Sequence, residues 1–291
     1  MSVEGKVVLI TGAARGMGRE HVRGFLEAGA KVVAADISWV PSGVSGDDYD
    51  FAAELAGNPN ALLETMDLTL ESHVQRVYAS AMQRFGTIDV IVNNGGLRQR
   101  DLYPPSGASW TLETDISEWQ RMFDTHVFGM LRVIKAFSQP MLEMRRGSII
   151  NIGSSNWGGQ GPSSREMPYK AAKGAVATMT FYLAYELRAH NIAVNLLIPG
   201  HTRSTGSDEQ EQGRAQIRAR EDPSAGALLR LRVKPDHVVP PALHLAAQDA
   251  STMTGQEIVA VQWNVDNGLG GLETWGYEPD VAAAHAAGRA V

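Results

Sequence analysis

Two side chains four positions apart in this chain are of types that could transfer a proton. Tyr169 and Lys173 occur in the run Pro168-Tyr-Lys-Ala-Ala-Lys173, and on a helix such a pair shares one face. A phenol ordinarily ionises near pH ~10, but a nearby ammonium group favours the phenolate and lowers that pKa. A tyrosine tuned in this way can pass a proton to or from a substrate oxygen. Such a pair alone is more often a surface lysine beside a half-buried tyrosine, so the rest of the chain must decide.

The first 36 residues have the pattern of a nucleotide site. An apolar run from Lys6 to Thr11 predicts a buried strand, and a second such run, Lys31 to Asp36, ends on an acid. Between them lie a glycine-rich turn, Gly12 to Gly18, and a helical pattern that stops at Gly29. Glycines let the backbone approach a phosphate, and the helix N-terminus presents free N–H groups to it. The pattern predicts dinucleotide binding, the plainer alternative being an ordinary glycine-rich turn.

The glycine spacing is G-x-x-x-G-x-G, and further segments follow in a fixed order. These are Asp67 after a third strand, Asn93-Asn94-Gly95, the strand Gly147 to Gly153 leading to Ser154-Ser155, Pro199-Gly200, and Thr254-Gly255-Gln256 before an expected last strand. With Thr11 and Tyr169-x-x-x-Lys173, they resemble the classical short-chain dehydrogenase/reductase (SDR) family from about Gly5 to Val261. The resemblance implies one α/β domain over residues 1–270, a Rossmann-type doubly wound parallel sheet with helices on both faces. Residues 271–291 are expected to form a C-terminal tail.

The resemblance also implies a reaction, the interconversion of a secondary alcohol and a ketone with hydride transfer to or from nicotinamide C4. Tyr169 is then the general acid/base, Lys173 lowers its pKa and binds the nicotinamide ribose, and a serine steadies the substrate oxygen. Ser154 is the expected catalytic serine because, counted from Asn151, it falls at the family position. Ser155, whose side chain would lie on the opposite face of the strand, is the alternative.

His126 departs from the family pattern, which usually has an asparagine there. That asparagine supports a water chain behind the lysine, largely through its backbone carbonyl. Histidine could keep this backbone role, join the proton path because its pKa lies near neutral, or merely fill space in a helix kink.

The expected cofactor is NAD, with NADP the less favoured alternative. Asp36 stands where an acid binds the ribose hydroxyls and repels a 2′-phosphate, whereas Arg15 is at a position where a basic residue often accompanies NADP. The cofactor-binding residues expected in all are Gly12, Arg15, Gly16, Met17, Gly18, Asp36, Asp67, Leu68, Asn94, Gly95, Tyr169, Lys173, Pro199, Gly200, Thr202 and Ser204.

The substrate is expected to be a small, hydrophobic secondary alcohol or ketone. The substrate pocket should be lined by loops beyond the C-terminal ends of the strands. The polar stretch from His201 to Ala227 is expected to be a mobile lid. Two long helices, roughly Ser117–Met144 and Pro168–His190, should bracket the catalytic strand. The pocket candidates are Tyr103, Trp110, Ser155, Trp157 and Met167.

Composition narrows the class of protein further. The 291 residues carry a net charge of −6 without a long basic run, which argues against nucleic acid as a partner. There is no cysteine, no apolar stretch long enough to span a membrane and no pattern of a signal peptide or metal site. We therefore expect a cytoplasmic protein, and the resemblance to the SDR family implies an enzyme that forms homodimers or homotetramers. The alternatives are a non-catalytic NAD(H)-binding regulator and an epimerase or dehydratase on the same fold.

Overall fold

The computed structural model describes residues 2–104, 106–154, 166–221 and 231–286. Its seven strands form one parallel sheet in the order β3-β2-β1-β4-β5-β6-β7. They are β1 (Val7–Thr11), β2 (Lys31–Asp36), β3 (Ala61–Thr65), β4 (Val90–Asn93), β5 (Gly147–Ile152), β6 (Ile192–Ile198) and β7 (Glu257–Val259). The central strands read as continuous apolar, β-branched runs because helices cover both of their faces.

Thirteen α-helices occur in the described part of the chain. They are α1 (Gly16–Glu27), α2 (Phe51–Leu55), α3 (Glu71–Phe85), α4 (Gln99–Leu102), α5 (Ile116–Phe123), α6 (Gly129–Phe137), α7 (Gln139–Met144), α8 (Met167–Leu187), α9 (Ser207–Glu221), α10 (Val239–Ala246), α11 (Ala260–Asp266), α12 (Leu272–Trp275) and α13 (Glu278–Ala286). Short 3₁₀ turns lie at Thr111–Glu113, Arg188–His190 and Pro235–Val238.

Two apolar cores lie on opposite faces of the sheet. One packs α3, α6 and α8 against the strands and includes Val77, Phe137 and Val176. The other packs α1 and α10 and includes Phe25 and Leu245. This confirms the doubly wound parallel architecture expected from the sequence.

The strand order reverses between β1 and β4, and side chains brace this point. Thr11 Oγ1 accepts hydrogen bonds from the backbone N–H groups of Asn94 (3.1 Å) and Gly95 (2.9 Å). Asn94 Nδ2 donates in return to the carbonyls of Thr11 (3.0 Å) and Gly12 (3.1 Å). In open α/β sheets ligands bind in the crevice at such a switch point.

The strand Lys31–Asp36 has the predicted bounds, but the predicted helix Ser117–Met144 is not continuous. A π-helical turn, Asp124–Phe128, separates α5 from α6, and α7 begins anew at Gln139 with Pro140 in its first turn. The π-turn inserts one extra residue per turn, a device that is frequent at functional sites.

The tail from residue 271 includes two short helices and is fastened to the domain. The backbone N–H of Tyr277 donates to the carbonyl of Arg232 (2.7 Å), and Lys234 N–H donates to the carbonyl of Trp275 (2.8 Å). The Arg232 guanidinium binds both carboxylate oxygens of Asp280 (2.7 and 2.8 Å) and also contacts Asp208 of α9. Across residues 2–104, 106–154, 166–221 and 231–286, none of the helices is long and apolar enough to cross a membrane.

Candidate active site

The glycine-rich turn leaves no room for side chains where β1 meets α1. A Cβ on Gly12 would lie 2.7 Å from the Cα of Gly95, and a Cβ on Gly18 would overlap the Gly12 carbonyl oxygen. Gly12 and Gly16 also have positive φ values of 64° and 52°, which favour glycine. α1 begins at Gly16 without a side-chain cap, so its first N–H groups face the cleft and can hold a phosphate.

The Asp36 carboxylate ends β2 beside this turn and is nearly buried, with 6% of the residue exposed. It accepts hydrogen bonds from the backbone N–H groups of Ala14 (2.9 Å) and Ser38 (3.2 Å). Burial raises the pKa of Asp36, and these two N–H groups oppose the rise.

The Arg15 guanidinium is held by other groups than Asp36. It donates to the Asp47 carboxylate (2.9 Å) and to the Ser38 carbonyl (2.7 Å). Within the described residues its ion pair is therefore with Asp47 rather than with Asp36. The positive charge of Arg15 is largely neutralised within the loop that follows β2.

A cleft of about 600 Å³ joins this region to the catalytic candidates. Fourteen of the predicted site residues line it, namely Gly12, Arg15, Gly16, Met17, Asp36, Asp67, Leu68, Asn94, Gly95, His126, Tyr169, Lys173, Pro199 and Ser204. Gly18 and Gly200 do not line the cleft. A side chain at Gly18 would clash with the Gly12 carbonyl, and Gly200 has a φ of 75°, which favours glycine. Thr202 turns its hydroxyl back to the Pro199 carbonyl (3.3 Å).

Tyr169 and Lys173 lie on the first turns of α8, next to the end of β5. Lys173 Nζ donates to the carbonyl of Ile152 (2.7 Å) and lies 5.8 Å from the centre of the Tyr169 ring. The hydroxyl of Ser154, two residues beyond Ile152, is hydrogen-bonded to Tyr169. The predicted serine, tyrosine and lysine therefore meet in one place. Ser155 lies outside the described residues.

The pKa values of this group differ from the sequence-based expectation. Burial raises the pKa of Tyr169 to about 12, with the negative charge of Glu166 acting in the same direction and the Ser154 hydrogen bond opposing it. Burial, helped by the positive charge of Lys170, lowers the pKa of Lys173 to about 8. In the protein by itself the pKa of Tyr169 is thus raised rather than lowered, because desolvation of the phenolate is the largest cause of the shift.

His126 lies within the π-turn and is buried. Its Nε2 lies 2.6 Å from the carbonyl oxygen of Leu97, and its ring meets the Tyr169 ring edge-on at 5.5 Å between centres. Burial and the positive charge of Lys173 lower the pKa of His126 to about 3, so the ring is neutral at physiological pH. A neutral imidazole next to a carbonyl must donate through Nε2. This geometry favours a positioning role over a proton relay.

The loop after β6 is anchored from behind by a second buried histidine, His237. Its Nε2 lies 2.6 Å from the Pro199 carbonyl oxygen and its Nδ1 lies 2.6 Å from that of Lys234. Sequence reasoning missed this residue because 38 positions separate it from Pro199.

The three described pocket candidates lie at the rim rather than in the cleft. Tyr103 hydrogen-bonds the Glu118 carboxylate of α5, and burial together with Glu118 raises the pKa of Tyr103 to about 12. Trp110 is 57% exposed and Met167 is 46% exposed. Trp157 lies outside the described residues.

Contacts that join the segment 97–113, the start of α8 and α9 near the site were not predicted. Gln99, 2% exposed, accepts a hydrogen bond from the backbone N–H of Tyr169 (3.2 Å) and so fixes the start of α8. Arg214 of α9 pairs with Glu166 and donates to the Ser106 carbonyl (3.0 Å). The stretch expected to be a mobile lid therefore contains a helix joined to the 97–113 loop and to the start of α8. Within the described ranges no group of side chains is arranged to hold a metal ion.

Fold and site together define a nicotinamide-dependent oxidoreductase of the Rossmann type. The profile of the family described as short chain dehydrogenase matches residues 6–215, and the chain belongs to this short-chain dehydrogenase/reductase family. The chain is similar to fluoren-9-ol dehydrogenase of Terrabacter sp. (strain DBF63), with 39% identity over 94% of this chain and 75% of the relative. It is also 34% identical to 3-alpha-(or 20-beta)-hydroxysteroid dehydrogenase of Mycobacterium tuberculosis, over 88% of this chain and 87% of the relative.

A solved structure has the same fold. The 3-ketoacyl-(acyl-carrier-protein) reductase of Brucella melitensis, complexed with NADH, aligns with a TM-score of 0.71 and 27% sequence identity. The alignment covers 89% of this chain and 97% of the reductase. These similarities confirm the family, the fold and the dehydrogenase/reductase class that the sequence predicted.

Proposed function

We propose that this protein is an NAD-dependent dehydrogenase that interconverts a bulky, fused-ring secondary alcohol and its ketone. One observation carries the proposal: a single cleft contains the glycine turn and Asp36 at one end and Tyr169 with Lys173 at the other. A dinucleotide lying along this cleft would have its adenosine end at Asp36 and its nicotinamide beside the tyrosine.

The preference for NAD rests on the two residues at the adenosine end. The Asp36 carboxylate can accept hydrogen bonds from both ribose hydroxyls and would repel a 2′-phosphate. The Arg15 guanidinium, which could compensate that repulsion, is engaged with Asp47 and Ser38. A nearly buried carboxylate facing a 2′-phosphate would be unfavourable, which supports NAD as the cofactor.

In the proposed reaction the nicotinamide, when bound, supplies the carbon that accepts or releases the hydride. Tyr169 Oη takes the proton of the alcohol oxygen during oxidation and returns it during reduction. Ser154 donates a hydrogen bond to the same substrate oxygen. Lys173 uses one of its three N–H donors on the Ile152 carbonyl, which leaves donors for the ribose hydroxyls. Its ammonium stabilises the phenolate that forms when Tyr169 gives up its proton.

The size and polarity of the substrate follow from the apolar side of the site and from the relatives. Leu97, which lines the cleft, packs with Leu102, Phe123 and Tyr169 against one buried apolar cluster. The two relatives described above are named for fluorenol and for hydroxysteroids, which are both fused-ring secondary alcohols. The cluster offers such rings a surface next to the proton-transferring hydroxyl, whereas a short aliphatic alcohol would leave it uncovered.

The proposal is tested by measuring reduced nicotinamide formed from NAD and from NADP. The alcohols are 9-fluorenol, a hydroxysteroid, cyclohexanol and 2-propanol. We expect NAD-dependent turnover of the fused-ring alcohols that is lost in Tyr169→Phe and kept in Tyr185→Phe, whose side chain is 84% exposed on the same helix. Tight NADH binding with no turnover of any alcohol would instead support the non-catalytic regulator. Turnover unchanged in Tyr169→Phe would exclude the proposed acid/base.

The exposed apolar side chains also support a homo-oligomer, as expected from the sequence. Ile116, Phe128, Tyr182 and Tyr185 lie on α5, the π-turn and α8 with exposures of 72%, 51%, 69% and 84%. Large apolar side chains exposed on elements that pack against one another, as α5, the π-turn and α8 do, support an interaction surface there. Light scattering coupled to size-exclusion chromatography should give a dimer or tetramer mass; a monomer mass at micromolar concentration would contradict this.

A further inference from the structure

His237 is a fully buried histidine whose two ring nitrogens both meet backbone carbonyls. Its Nε2 lies 2.6 Å from the oxygen of Pro199, and its Nδ1 lies 2.6 Å from the oxygen of Lys234. Pro199 follows β6, whereas Lys234 lies just before the 3₁₀ turn that carries His237. The imidazole therefore ties two segments together that are 38 positions apart in the chain.

The two contacts compete for the ring proton. A neutral imidazole has one N–H, so it can donate to only one carbonyl at a time. Burial lowers the pKa of His237, although both carbonyls oppose the fall, and the ring is therefore neutral at physiological pH. Lys234 is half-buried, and its carbonyl also accepts from the backbone N–H of His237 (3.4 Å). Pro199 is buried, so an N–H on Nε2 offsets the larger desolvation cost, and the geometry favours the proton there.

The loop that begins at Pro199 borders the reactive end of the cleft. β6 pairs with β5 so that Leu197 lies opposite Ile152, whose carbonyl binds Lys173. Pro199 comes two residues after Leu197 and lines the cleft. Asp36, by contrast, ends β2 on the other side of the point where the strand order reverses. A group that holds Pro199 therefore acts on the nicotinamide end of the cleft and not on the adenosine end.

His237 is itself held from two sides. Asn264 of α11, also fully buried, donates from Nδ2 to the backbone carbonyl of His237 (2.9 Å). The 3₁₀ turn packs against α1, where a Cβ on Gly24 would overlap the side chain of Val239. The imidazole thus projects from a firmly packed support toward the loop.

A second buried imidazole of the same region, that of His21 on α1, provides a comparison. Burial lowers its pKa to about 3, and the charge of His237 acts in the same direction. In the described part of the chain neither ring nitrogen of His21 has a hydrogen-bond partner. The two histidines therefore share burial and neighbourhood but differ in their contact with the loop.

We propose that His237 is a positioning residue for the nicotinamide end of the cleft. Its Nε2–H holds the carbonyl of Pro199 and so sets where the loop after β6 meets the nicotinamide ring. His237 is buried and does not line the cleft, so it acts through Pro199. The inference rests on the proposed dehydrogenase function, in which the nicotinamide lies beside Tyr169.

The first test compares two ligands that differ by the nicotinamide ring. ADP-ribose has the phosphates and riboses of NADH but lacks the ring. Calorimetric titration with each ligand is done on the wild type, His237→Leu, His237→Gln and the matched control His21→Leu. We expect His237→Leu to weaken NADH binding about tenfold or more, because a buried carbonyl loses its donor, and to change the Kd of ADP-ribose by less than about threefold.

The other two variants separate the hydrogen bond from packing. His237→Gln can still place an N–H near the position of Nε2, so it should keep the Kd of NADH within about threefold of the wild type. His21→Leu should keep both Kd values within the same range, since its ring has no contact with the loop. Equal losses of NADH and ADP-ribose in His237→Leu would overturn the inference. An NADH affinity of the wild type in His237→Leu, or an equal loss in His21→Leu, would overturn it as well.

The second test uses the wild-type protein, so it holds even if His237→Leu does not fold. ¹⁵N NMR of the histidine ring nitrogens at pH ~7 shows which nitrogen carries the proton, and His237→Gln identifies the resonances. A proton on Nε2 supports the inference, and a neutral ring protonated on Nδ1 overturns it. Neither test depends on turnover: a wild type that oxidises none of the alcohols counts against the proposed function alone. If the wild type binds NADPH in place of NADH, the same titrations use NADPH and 2′-phospho-ADP-ribose.

Discussion

His126 and Gly96 fit together so closely that neither position can be considered alone. A Cβ on Gly96 would lie 2.6 Å from Nδ1 of the His126 ring, and closer still to Cε1. The ring occupies this space because its Nε2 donates to the carbonyl of Leu97, the residue after Gly96. The usual asparagine of the family is smaller, so the glycine and the histidine are matched in this chain.

This fit predicts a rescue between two substitutions. Gly96→Ala should destabilise the protein by about 1–3 kcal/mol because the added methyl group overpacks against the ring. In the His126→Asn background the same change should cost clearly less. Denaturant unfolding of the wild type, the two single variants and the double variant gives the coupling free energy between the two positions. Additive effects would show that the ring can move aside at no cost.

His126→Asn alone should keep turnover within a few-fold of the wild type, since the neutral ring is not needed to carry protons.

The raised pKa of Tyr169 predicts different pH dependences for the two directions of the reaction. Oxidation requires the phenolate, so its rate should increase as the pH approaches the tyrosine pKa of about 12 from below. Reduction requires the phenol, which predominates well below that pKa, so its rate should stay nearly constant between pH ~7 and pH ~9. We expect oxidation to gain at least about threefold between pH ~7 and pH ~9. Initial rates in both directions over this range are the measurement, and a flat oxidation profile would mean that another group takes the proton.

The carboxylates of Asp36 and Asp47 predict a stepwise change of cofactor. Asp36→Ala should raise the NADP/NAD ratio of kcat/KM at least about tenfold, because the charge that repels the 2′-phosphate is removed. Adding Asp47→Ala should raise it further, because Arg15 loses its carboxylate partner and can reach the phosphate. Asp47→Ala alone serves as the control and should keep the preference for NAD. Steady-state kinetics with both cofactors decides; an unchanged ratio in Asp36→Ala would mean that Asp36 does not contact the ribose.

The Arg232–Asp280 pair predicts that the tail contributes strongly to stability. Both side chains are only 10% exposed, so removal of the acid would leave a nearly buried guanidinium with only part of its hydrogen bonds. Asp280→Ala should lower the free energy of unfolding by about 3 kcal/mol. Asp266→Ala, on the surface of α11, is the matched control and should cost less than about 0.5 kcal/mol. Equal midpoints for the two variants in denaturant would show that the tail is not part of the cooperative unit.

Much of the site could be predicted from sequence because its parts are local. The turn Gly12 to Gly18 and the pair Tyr169 and Lys173 are encoded by short-range spacing, and Asp36 ends a strand whose bounds follow from its apolar run. These features depend on the backbone conformation of neighbouring residues, which composition and periodicity report directly.

The remaining parts depend on contacts between distant segments. Gln99 binds the backbone of Tyr169 across 70 positions, and Arg15 binds Asp47 across 32 positions. The rise of the Tyr169 pKa could not be predicted either, because burial is a property of the packed molecule. Nor was the contact between Lys170 Nζ and Ser154 Oγ (3.1 Å) predicted, since 16 positions separate the two residues.

The fastening of the tail has a consequence for how the substrate side of the site is held closed. Lys234 and Arg232 obtain partners from residues 275–280, and Arg232 in turn binds Asp208 of α9. The sheet and the cofactor turn obtain their contacts from other parts of the chain. We therefore expect a molecule whose tail has detached to bind the cofactor still, while α9 loses its hold on the substrate side, so that docking of the tail and closure of the site occur together.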